Sequence, residues 1–440
     1  MSINVSMTDK VDTSFFLDRA QLIGDHLVEQ AIWSDNAFSC NWMGRRDIED
    51  PEIARYAKRN VALSPELYSG SAGIALFLCQ LFRLTGEATY LKTAVASWLR
   101  SAKYMKTNDF PASPISLYAG DLGLLYIANL LLSHSHPYSE QIEHELLDIQ
   151  NRLWNGLSVA HGLDLIGGNA GAIPILIYLE KAFSQQQTTK GKFLQLAKDC
   201  GKEIVDKAQW KDEMCFWTSE KIHGVELELP PLTGFSHGAT GLAMALLELY
   251  SCTQDESFLI HGRGAFCFED SLFNPDQGNW IDTRKPHSKK DGKITGTFRG
   301  AWCHGAPGIG LAHLRAAQLD RERSAYHWKM ATIAAKTTEQ LLANKLTDNN
   351  LDMTLCHGTI GLCDIILEHG IRTSNEELIN SSQYSSSIIL ESHSNPFEMP
   401  SGLQAGGYSP CLLVGVAGIG LHCLRQLDHS IATILLPSSG

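Results

Sequence analysis

Two copies of the tripeptide Cys-His-Gly, at residues 303–305 and 356–358, combine side chains that bind metal ions. About 0.04 copies are expected by chance from the composition, so two copies indicate a selected feature. Two thiolates and one imidazole suit Zn²⁺, and three protein ligands leave the fourth tetrahedral position open, as in catalytic sites. The sequence therefore predicts a catalytic zinc site formed by Cys303, Cys356 and His357. The alternative is that these are small, buried core residues.

A third histidine, His237, occupies the equivalent position in Ser-His-Gly at residues 236–238. A zinc ion with two thiolate ligands favours a substrate thiol as its next ligand, and the proton of that thiol then needs an acceptor. We therefore predict that His237 is a general acid–base; the alternative is a histidine that caps a helix or forms a hydrogen bond to a buried carbonyl group.

Three other residues near these motifs are candidates for supporting roles. We expect Arg299, four residues before the first zinc ligand, to stabilise a developing oxyanion, unless it is an ordinary loop arginine. Asp164 either orients His237 or caps a helix. Trp302 either packs beside the metal or fills the core.

The histidine motifs belong to a seven-fold repeat of Gly-x-x-Gly, in which each copy is followed by an apolar stretch. These stretches are apolar on all sides, which predicts buried helices. Between them lie amphipathic segments, such as residues 90–105, with apolar residues at helical spacing. The first glycines of the seven motifs are Gly70, Gly120, Gly168, Gly238, Gly305, Gly358 and Gly415.

This alternation predicts an all-α fold, an α/α toroid (a double α-barrel) of seven inner and seven outer helices. An open solenoid needs polar capping repeats, and neither terminal repeat has that character. In a closed ring the starts of the inner helices converge, so the two Cys-His-Gly motifs approach each other. We expect a single domain over residues 1–440, with its core at about 20–430 and long loops at 211–235 and 274–300.

The composition excludes several classes of function. The net charge of −12 argues against nucleic acid as a partner. No apolar run reaches the roughly 18 residues of a membrane span, and residues 1–19 lack the pattern of a signal peptide. The 11 cysteines are expected to be thiols or metal ligands. We therefore predict a cytoplasmic protein.

Together the motifs resemble the lanthionine synthetase C-like family, whose cyclases make the thioether rings of lanthipeptides. The resemblance covers about residues 20–430, and its most specific part is RGAWCHG at residues 299–305. The segments FEDSLFNPDQGNWIDTR and AWCHGAPGIGLAHLRAAQ are most similar to the cyclase domain of class II synthetases. The family implies a toroid with a central zinc ion.

The resemblance also implies the chemistry and the residues that carry it. In the family, a peptide cysteine adds as a thiolate to the β-carbon of dehydroalanine or dehydrobutyrine, and the resulting enolate is protonated. One position is variable, because His304 stands where members have Tyr or His. The implied metal ligands are Cys303, Cys356 and His357, and the implied catalytic residues are His237, Asp164, Arg299, Trp302 and His304.

We therefore predict a zinc-dependent lanthipeptide cyclase that acts on a dehydrated precursor peptide. Class II synthetases also carry a large dehydratase domain, for which 440 residues leave no room. The chain is then expected to be a stand-alone cyclase with a separate dehydratase as its partner, a detached cyclase domain, or a relative with another role. A further expected partner is a membrane-transporter complex, to which the protein would be peripheral. The basic stretch at residues 285–293 would meet an acidic leader of the precursor.

Two alternatives remain open from the sequence. One is a related enzyme that adds glutathione to dehydroamino acids in proteins, and the other is a non-catalytic, zinc-containing scaffold. A carbohydrate-active toroid is disfavoured, because it needs two carboxylates facing a cleft and Asp164 alone does not supply the pair.

Overall fold

The computed structural model describes nine stretches of the chain. Within residues 46–50, 55–58, 289–290 and 293 only the backbone is described. The described residues are 14–50, 55–107, 113–133, 135–159, 161–218, 230–290, 293–347, 352–401 and 407–439.

Seven inner helices follow the seven glycine motifs, and each begins directly after the first glycine. Nearly all their side chains are buried, as expected for segments that are apolar on every side. With helices numbered in chain order, the inner ones are α2 (Ser71–Thr85), α4 (Asp121–Leu131), α6 (Asn169–Ala182), α8 (Ala239–Thr253), α10 (Ala306–Leu319), α12 (Thr359–Thr373) and α14 (Val416–Leu427).

Seven amphipathic helices surround the inner ones. Each packs against the inner helix that precedes it in the chain, except the first, which packs against the last inner helix. The outer helices are α1 (Ser14–Glu29), α3 (Ala88–Met105), α5 (Ser139–Trp154), α7 (Lys192–Asp206), α9 (Glu256–Asp270), α11 (Ser324–Leu346) and α13 (Glu376–Glu391).

The inner helices form a closed ring, since each packs against the next and α14 packs against α2. In several of the motifs the second glycine allows this close packing. A Cβ atom on Gly73 would overlap the carbonyl oxygen of Leu67 and the side chain of Leu412 in the preceding repeat. A Cβ atom on Gly308 would likewise crowd Phe235. These observations confirm the predicted α/α toroid.

The strands of the described residues are short and pair into five antiparallel two-stranded sheets. Two of these sheets, formed by residues 273–274 with 279–280 and 288–290 with 293–295, lie in or beside the segment 274–300. Short 3₁₀ helices span Gly156–Ser158 and Pro396–Glu398. The strands are β1 (Ile32–Trp33), β2 (Cys40–Asn41), β3 (Met43–Asp50), β4 (Arg55–Ala62), β5 (Gln209–Lys211), β6 (Met214–Phe216), β7 (Phe273–Asn274), β8 (Asn279–Trp280), β9 (Ser288–Lys290) and β10 (Lys293–Thr295).

The C-terminal segment, residues 431–439, follows α14 and is largely buried against the inner helices. The hydroxyl group of Tyr118 donates to the carbonyl oxygen of Ile434, and Lys181 donates to that of Ser439. The core thus extends beyond residue 430, where the sequence analysis placed its end, and α1 begins before residue 20, its predicted start.

Candidate metal centre and active site

Backbone hydrogen bonds join the loops that precede the inner helices, around one end of the ring. The amide of Cys356 donates to the carbonyl oxygen of Leu413 over 2.9 Å, and the amide of Leu413 donates to that of Tyr68 over 2.9 Å. The amide of Trp302 donates in turn to the carbonyl oxygen of Cys356 over 3.1 Å. Equivalent residues of successive repeats are thereby held side by side.

Three of the side chains carried by these loops converge. The sulfur atoms of Cys303 and Cys356 and a ring nitrogen of His357 lie within 4.8 Å of one another. The Nε2 atom of His357 is 3.4 Å from Cys356 Sγ. Its Nδ1 atom is buried and lacks a hydrogen-bond partner within the described residues. The three predicted metal ligands thus form one cluster.

This cluster fits a zinc ion by its donor atoms and by its size. Tetrahedral Zn²⁺ with ordinary Zn–S and Zn–N bonds places its ligand atoms roughly 3.3–3.8 Å apart, so small side-chain shifts suffice. Cys303 is half-buried and Cys356 is buried. A hydrogen bond from the Cys356 thiol lowers the pKa of Cys303 well below its usual value, and His357 adds to this effect. The cluster therefore favours a thiolate even without a metal ion.

His237 and Asp164, which are 73 residues apart in sequence, form a hydrogen-bonded pair. His237 Nδ1 lies 2.6 Å from Asp164 Oδ2, and Asp164 also accepts a hydrogen bond from the amide of Gly167. Burial opposes protonation of His237, but Asp164 outweighs it and raises the histidine pKa. The residue that caps α6 is Gly168, so the observed partner of Asp164 is His237 and not the start of that helix.

The ring of His304 lies near that of His237, with 6.1 Å between their centroids. His304 Nδ1 is 3.1 Å from the carbonyl oxygen of Thr233 and therefore carries the proton. Its Nε2 atom is buried and has no hydrogen-bond partner in the described part of the chain. Because burial lowers the pKa of His304 to about 4, the ring is neutral at physiological pH.

Arg299 and Arg284 share one buried carboxylate, that of Asp282. Arg284 donates two hydrogen bonds of 2.9 Å to Asp282, and Arg299 Nε lies 3.5 Å from Asp282 Oδ2. Burial would raise the pKa of Asp282, but Arg284 lowers it to about 2. The sequence analysis missed Asp282, although it lies in the Asp-x-Arg of a segment quoted for the family resemblance.

Trp302 is buried, with 1% of its surface exposed, and its indole N–H donates to the carbonyl oxygen of Leu435 over 2.7 Å. The ring also contacts Tyr118 and Phe235 in edge-to-face geometry. These contacts place Trp302 in the packing beneath the metal ligands. Its catalytic role therefore stays a prediction, and the alternative of filling the core has direct support.

Parts of the two predicted long loops lie outside the described residues. In the segment 211–235 this applies to residues 219–229, and in the segment 274–300 to residues 291 and 292. The side chains of residues 289, 290 and 293, which belong to the predicted leader-binding stretch, are also outside them.

Comparison with known proteins identifies the family. The model of the family described as "Lanthionine synthetase C-like protein" matches residues 61–438. The chain belongs to the lanthionine synthetase C-like family. The resemblance seen in the sequence is thereby confirmed.

Individual relatives are distant from this lanthionine synthetase C-like chain. The lacticin 481/lactococcin biosynthesis protein LcnDR2 of Lactococcus lactis subsp. lactis is 20% identical over 91% of this chain and 40% of its own length. Glutathione S-transferase LANCL1 of Danio rerio is 25% identical over 55% of this chain and 56% of its own. The chain thus spans about half or less of the length of these relatives.

Among solved structures, nisin cyclase is similar, with a TM-score of 0.59 and 18% identity over 83% of this chain and 89% of that one. This similarity supports the toroid fold. Within the described residues, no helix combines the length and the apolar character that crossing a membrane requires.

Proposed function

We propose that this protein is a zinc-dependent lanthipeptide cyclase, which adds peptide cysteine thiols to dehydroalanine or dehydrobutyrine and so forms (methyl)lanthionine rings. The observation that carries the proposal is the cluster of Cys303, Cys356 and His357, whose ligand atoms lie within 4.8 Å of one another. The pair of His237 and Asp164 in a neighbouring loop supports it, because thiol addition needs a group that moves a proton.

Cys303, Cys356 and His357 would hold the zinc ion. With three protein ligands, the ion would leave one coordination position for the substrate thiol and would lower the pKa of that thiol. The half-buried position of Cys303 keeps this part of the cluster open toward the substrate.

His237 is the residue that we assign to proton transfer. In the reaction the thiol loses its proton, and its sulfur forms a bond to the β-carbon of the dehydroamino acid. The electron pair of the carbon–carbon double bond moves onto the enolate oxygen, and the α-carbon then takes up a proton. Asp164 binds Nδ1–H of His237, which leaves Nε2 to accept the thiol proton and to return a proton to the α-carbon.

The developing negative charge on the enolate needs a positive partner, and the nearby arginines supply one. The side chain of Arg299 is 52% exposed and is loosely paired with Asp282, so it is available to the substrate carbonyl group. Arg284, with two short hydrogen bonds to Asp282, is more firmly held. We assign oxyanion stabilisation to Arg299 and the positioning of Asp282 to Arg284.

The substrate of such an enzyme is a dehydrated precursor peptide, and a dehydratase must act before it. LcnDR2, a lacticin 481/lactococcin biosynthesis protein by its name, supports this assignment and the class II character, since 91% of this chain aligns with 40% of its length. A cytoplasmic setting and an association with a membrane transporter belong to the same proposal.

The decisive experiment compares Cys356→Ala with Cys363→Ala, a buried cysteine within α12 that is outside the cluster. We expect one zinc per chain, by elemental mass spectrometry, in the wild type and in Cys363→Ala. Cys356→Ala should contain no zinc, and it should no longer consume the free thiols of a dehydrated peptide. Absence of metal from the carefully purified wild type, or retention of zinc by Cys356→Ala, would contradict the proposal.

A second candidate is the addition of glutathione to dehydroamino acids in proteins. It is favoured by the 25% identity to glutathione S-transferase LANCL1 over 55% of this chain. The same cluster and the same His237 would serve both reactions. Supplying glutathione with a cysteine-free dehydrated peptide separates the two, because only the second enzyme forms a product.

A further inference from the structure

Tyr68 lies two residues before the first glycine of its motif, the position that Cys303 and Cys356 occupy in their own motifs. Its backbone is hydrogen-bonded to the two repeats that flank it in the ring. The amide of Tyr68 donates to the carbonyl oxygen of Tyr118, and its carbonyl oxygen accepts from the amide of Leu413, both over 2.9 Å. The direction of its side chain is therefore set by two neighbouring repeats.

The side chain of Tyr68 extends past the repeat of Leu413 to the predicted metal ligands. Its hydroxyl group donates a hydrogen bond of 3.0 Å to Sγ of Cys356, from a residue 288 positions away in sequence. Tyr118 occupies the equivalent position of the next repeat, but its hydroxyl group donates to the carbonyl oxygen of Ile434. Of these two tyrosines, only Tyr68 therefore donates a hydrogen bond to a sulfur atom.

A hydrogen bond to a thiolate withdraws negative charge from the sulfur and makes it a poorer nucleophile. This matters here because three sulfur atoms would meet one electrophile: those of Cys303, Cys356 and the substrate. If Cys356 attacked the dehydroamino acid, its sulfur would form the bond to the β-carbon, the α-carbon would take up a proton, and the enzyme would be alkylated. Productive chemistry requires that the ligand sulfur stay unreactive.

We propose that Tyr68 is a positioning residue of the metal centre: its hydroxyl group holds the Cys356 sulfur as a metal ligand and protects it from alkylation by the dehydrated substrate. This inference rests on the proposed function, because it presupposes the metal centre. Groups that hydrogen-bond metal ligands commonly tune metal affinity, and their loss costs about tenfold or more.

The test compares Tyr68→Phe with Tyr118→Phe, which loses a hydroxyl group at the equivalent position without touching the cluster. In the cobalt-substituted protein, Tyr68→Phe should move the sulfur-to-cobalt charge-transfer band to longer wavelength, because the sulfur becomes a better donor. With iodoacetamide on the zinc-loaded protein, the ratio of Cys356 to Cys303 alkylation should rise about tenfold. Tyr118→Phe should leave the band and the ratio as in the wild type.

Three outcomes would overturn the inference. Equal spectra and equal alkylation ratios for the two variants would show that the hydroxyl group of Tyr68 has no influence on the ligand. Loss of cyclisation by Tyr68→Phe with an unchanged cobalt spectrum would assign Tyr68 to the substrate instead. A wild type that binds neither zinc nor cobalt would overturn the proposed function itself, whereas in the first two outcomes the metal centre stands.

Discussion

Two sets of polar side chains lie within the ring, and they differ in how their hydrogen-bonding capacity is used. The first set is the metal cluster with its neighbouring histidines. The second, which we call the Asp364 network, contains Arg425 and Glu368 and lies deeper along the inner helices. In the network Asp364 accepts hydrogen bonds from His422, Arg425 and Thr433.

The first set contains buried atoms that could form further hydrogen bonds. In the second set, the central carboxylate already has its hydrogen-bond partners. His304 Nε2 and His357 Nδ1 are buried and lack partners within the described residues. An unsatisfied buried polar atom costs about 1–3 kcal/mol, so it needs a reason, and a bound ion or substrate is one. The comparison separates buried polar atoms that have no partner, and so stay available to an ion or a substrate, from a carboxylate whose partners all come from the fold.

The largest effect that separates the two sets is expected for His237→Ala. The variant should slow cyclisation by about 10³-fold, since general acid–base groups contribute 10²–10⁴-fold. Its zinc content and its unfolding free energy should stay close to those of the wild type, because His237 is outside the cluster and its side chain is 43% exposed. Single-turnover kinetics with elemental analysis of the same samples measures both.

The control for this prediction is His144→Ala, which removes an exposed histidine from the outer helix α5. It should leave rate, zinc and stability unchanged. If His237→Ala cyclised as fast as this control, the assignment of His237 would be wrong, and a non-catalytic scaffold would be favoured.

Arg425→Met should produce the opposite result, a loss of stability without a loss of metal. Arg425 is 2% exposed and donates to both Asp364 and Glu368. Its removal takes a buried positive charge away from both carboxylates, although Asp364 keeps His422 and Glu368 keeps Arg372 as partners. Breaking one partner of a buried ion pair costs about 3–5 kcal/mol. Denaturant unfolding should show a loss of about 3 kcal/mol, while the folded fraction keeps one zinc per chain.

Lys207→Met supplies the comparison for Arg425→Met, since Lys207 forms an ion pair with Glu203 on the surface and is 53% exposed. Its effect should lie within about 0.5 kcal/mol. A stable Arg425→Met protein that had lost its zinc would break the division between the two sets.

The sequence repeat predicts the ring and the metal cluster for one reason. Equivalent positions of a closed repeat lie side by side, so the two Cys-His-Gly motifs must converge. The pairing of α1 with α14 follows from closure, although no residue pattern in α1 indicates it. Residues 431–439 escaped prediction because they follow the last repeat and have no periodicity, and yet they bind Tyr118, Trp302 and Asp364.

Side-chain directions within the site also lay beyond the sequence. Position alone groups Tyr68 with Tyr118, but only the first reaches a sulfur atom. Asp282 comes from a hairpin region without a repeat, so no spacing rule brings it to Arg299. The link between Asp164 and His237 was one of two interpretations, and only the loop geometry decides between them.

Glu269, near the end of α9, is a buried carboxyl group beside the first set. It is completely buried and accepts a hydrogen bond of 2.8 Å from the amide of Gly234. Gly234 has a φ of +109°, and a Cβ atom there would crowd His304 and Cys303. Glu269 therefore supports the loop of Gly234, which lies against His304 and Cys303. It is nevertheless as deeply buried as the carboxylates of the Asp364 network.

The smallest effect that we predict is a change in how stability depends on pH. Burial raises the pKa of Glu269 to about 8 from 4.5, so the folded chain keeps a proton that the unfolded chain has released. The stabilisation is complete below pH 4.5 and is lost as the pH rises through about 8, by about 1 kcal/mol per pH unit while the proton is held. Glu269→Gln, which stays neutral and still accepts from Gly234, should flatten this decline in denaturant unfolding between pH 6.5 and 8. Asp270→Asn is the matched variant: burial raises the pKa of Asp270 to about 7, so it should remove the part of the decline that lies below about pH 7 and leave the part between pH 7 and 8. An equal slope above pH 7 in Glu269→Gln and the wild type would mean that Glu269 is ionised in the folded chain, and it would then belong with the charged Asp364 network.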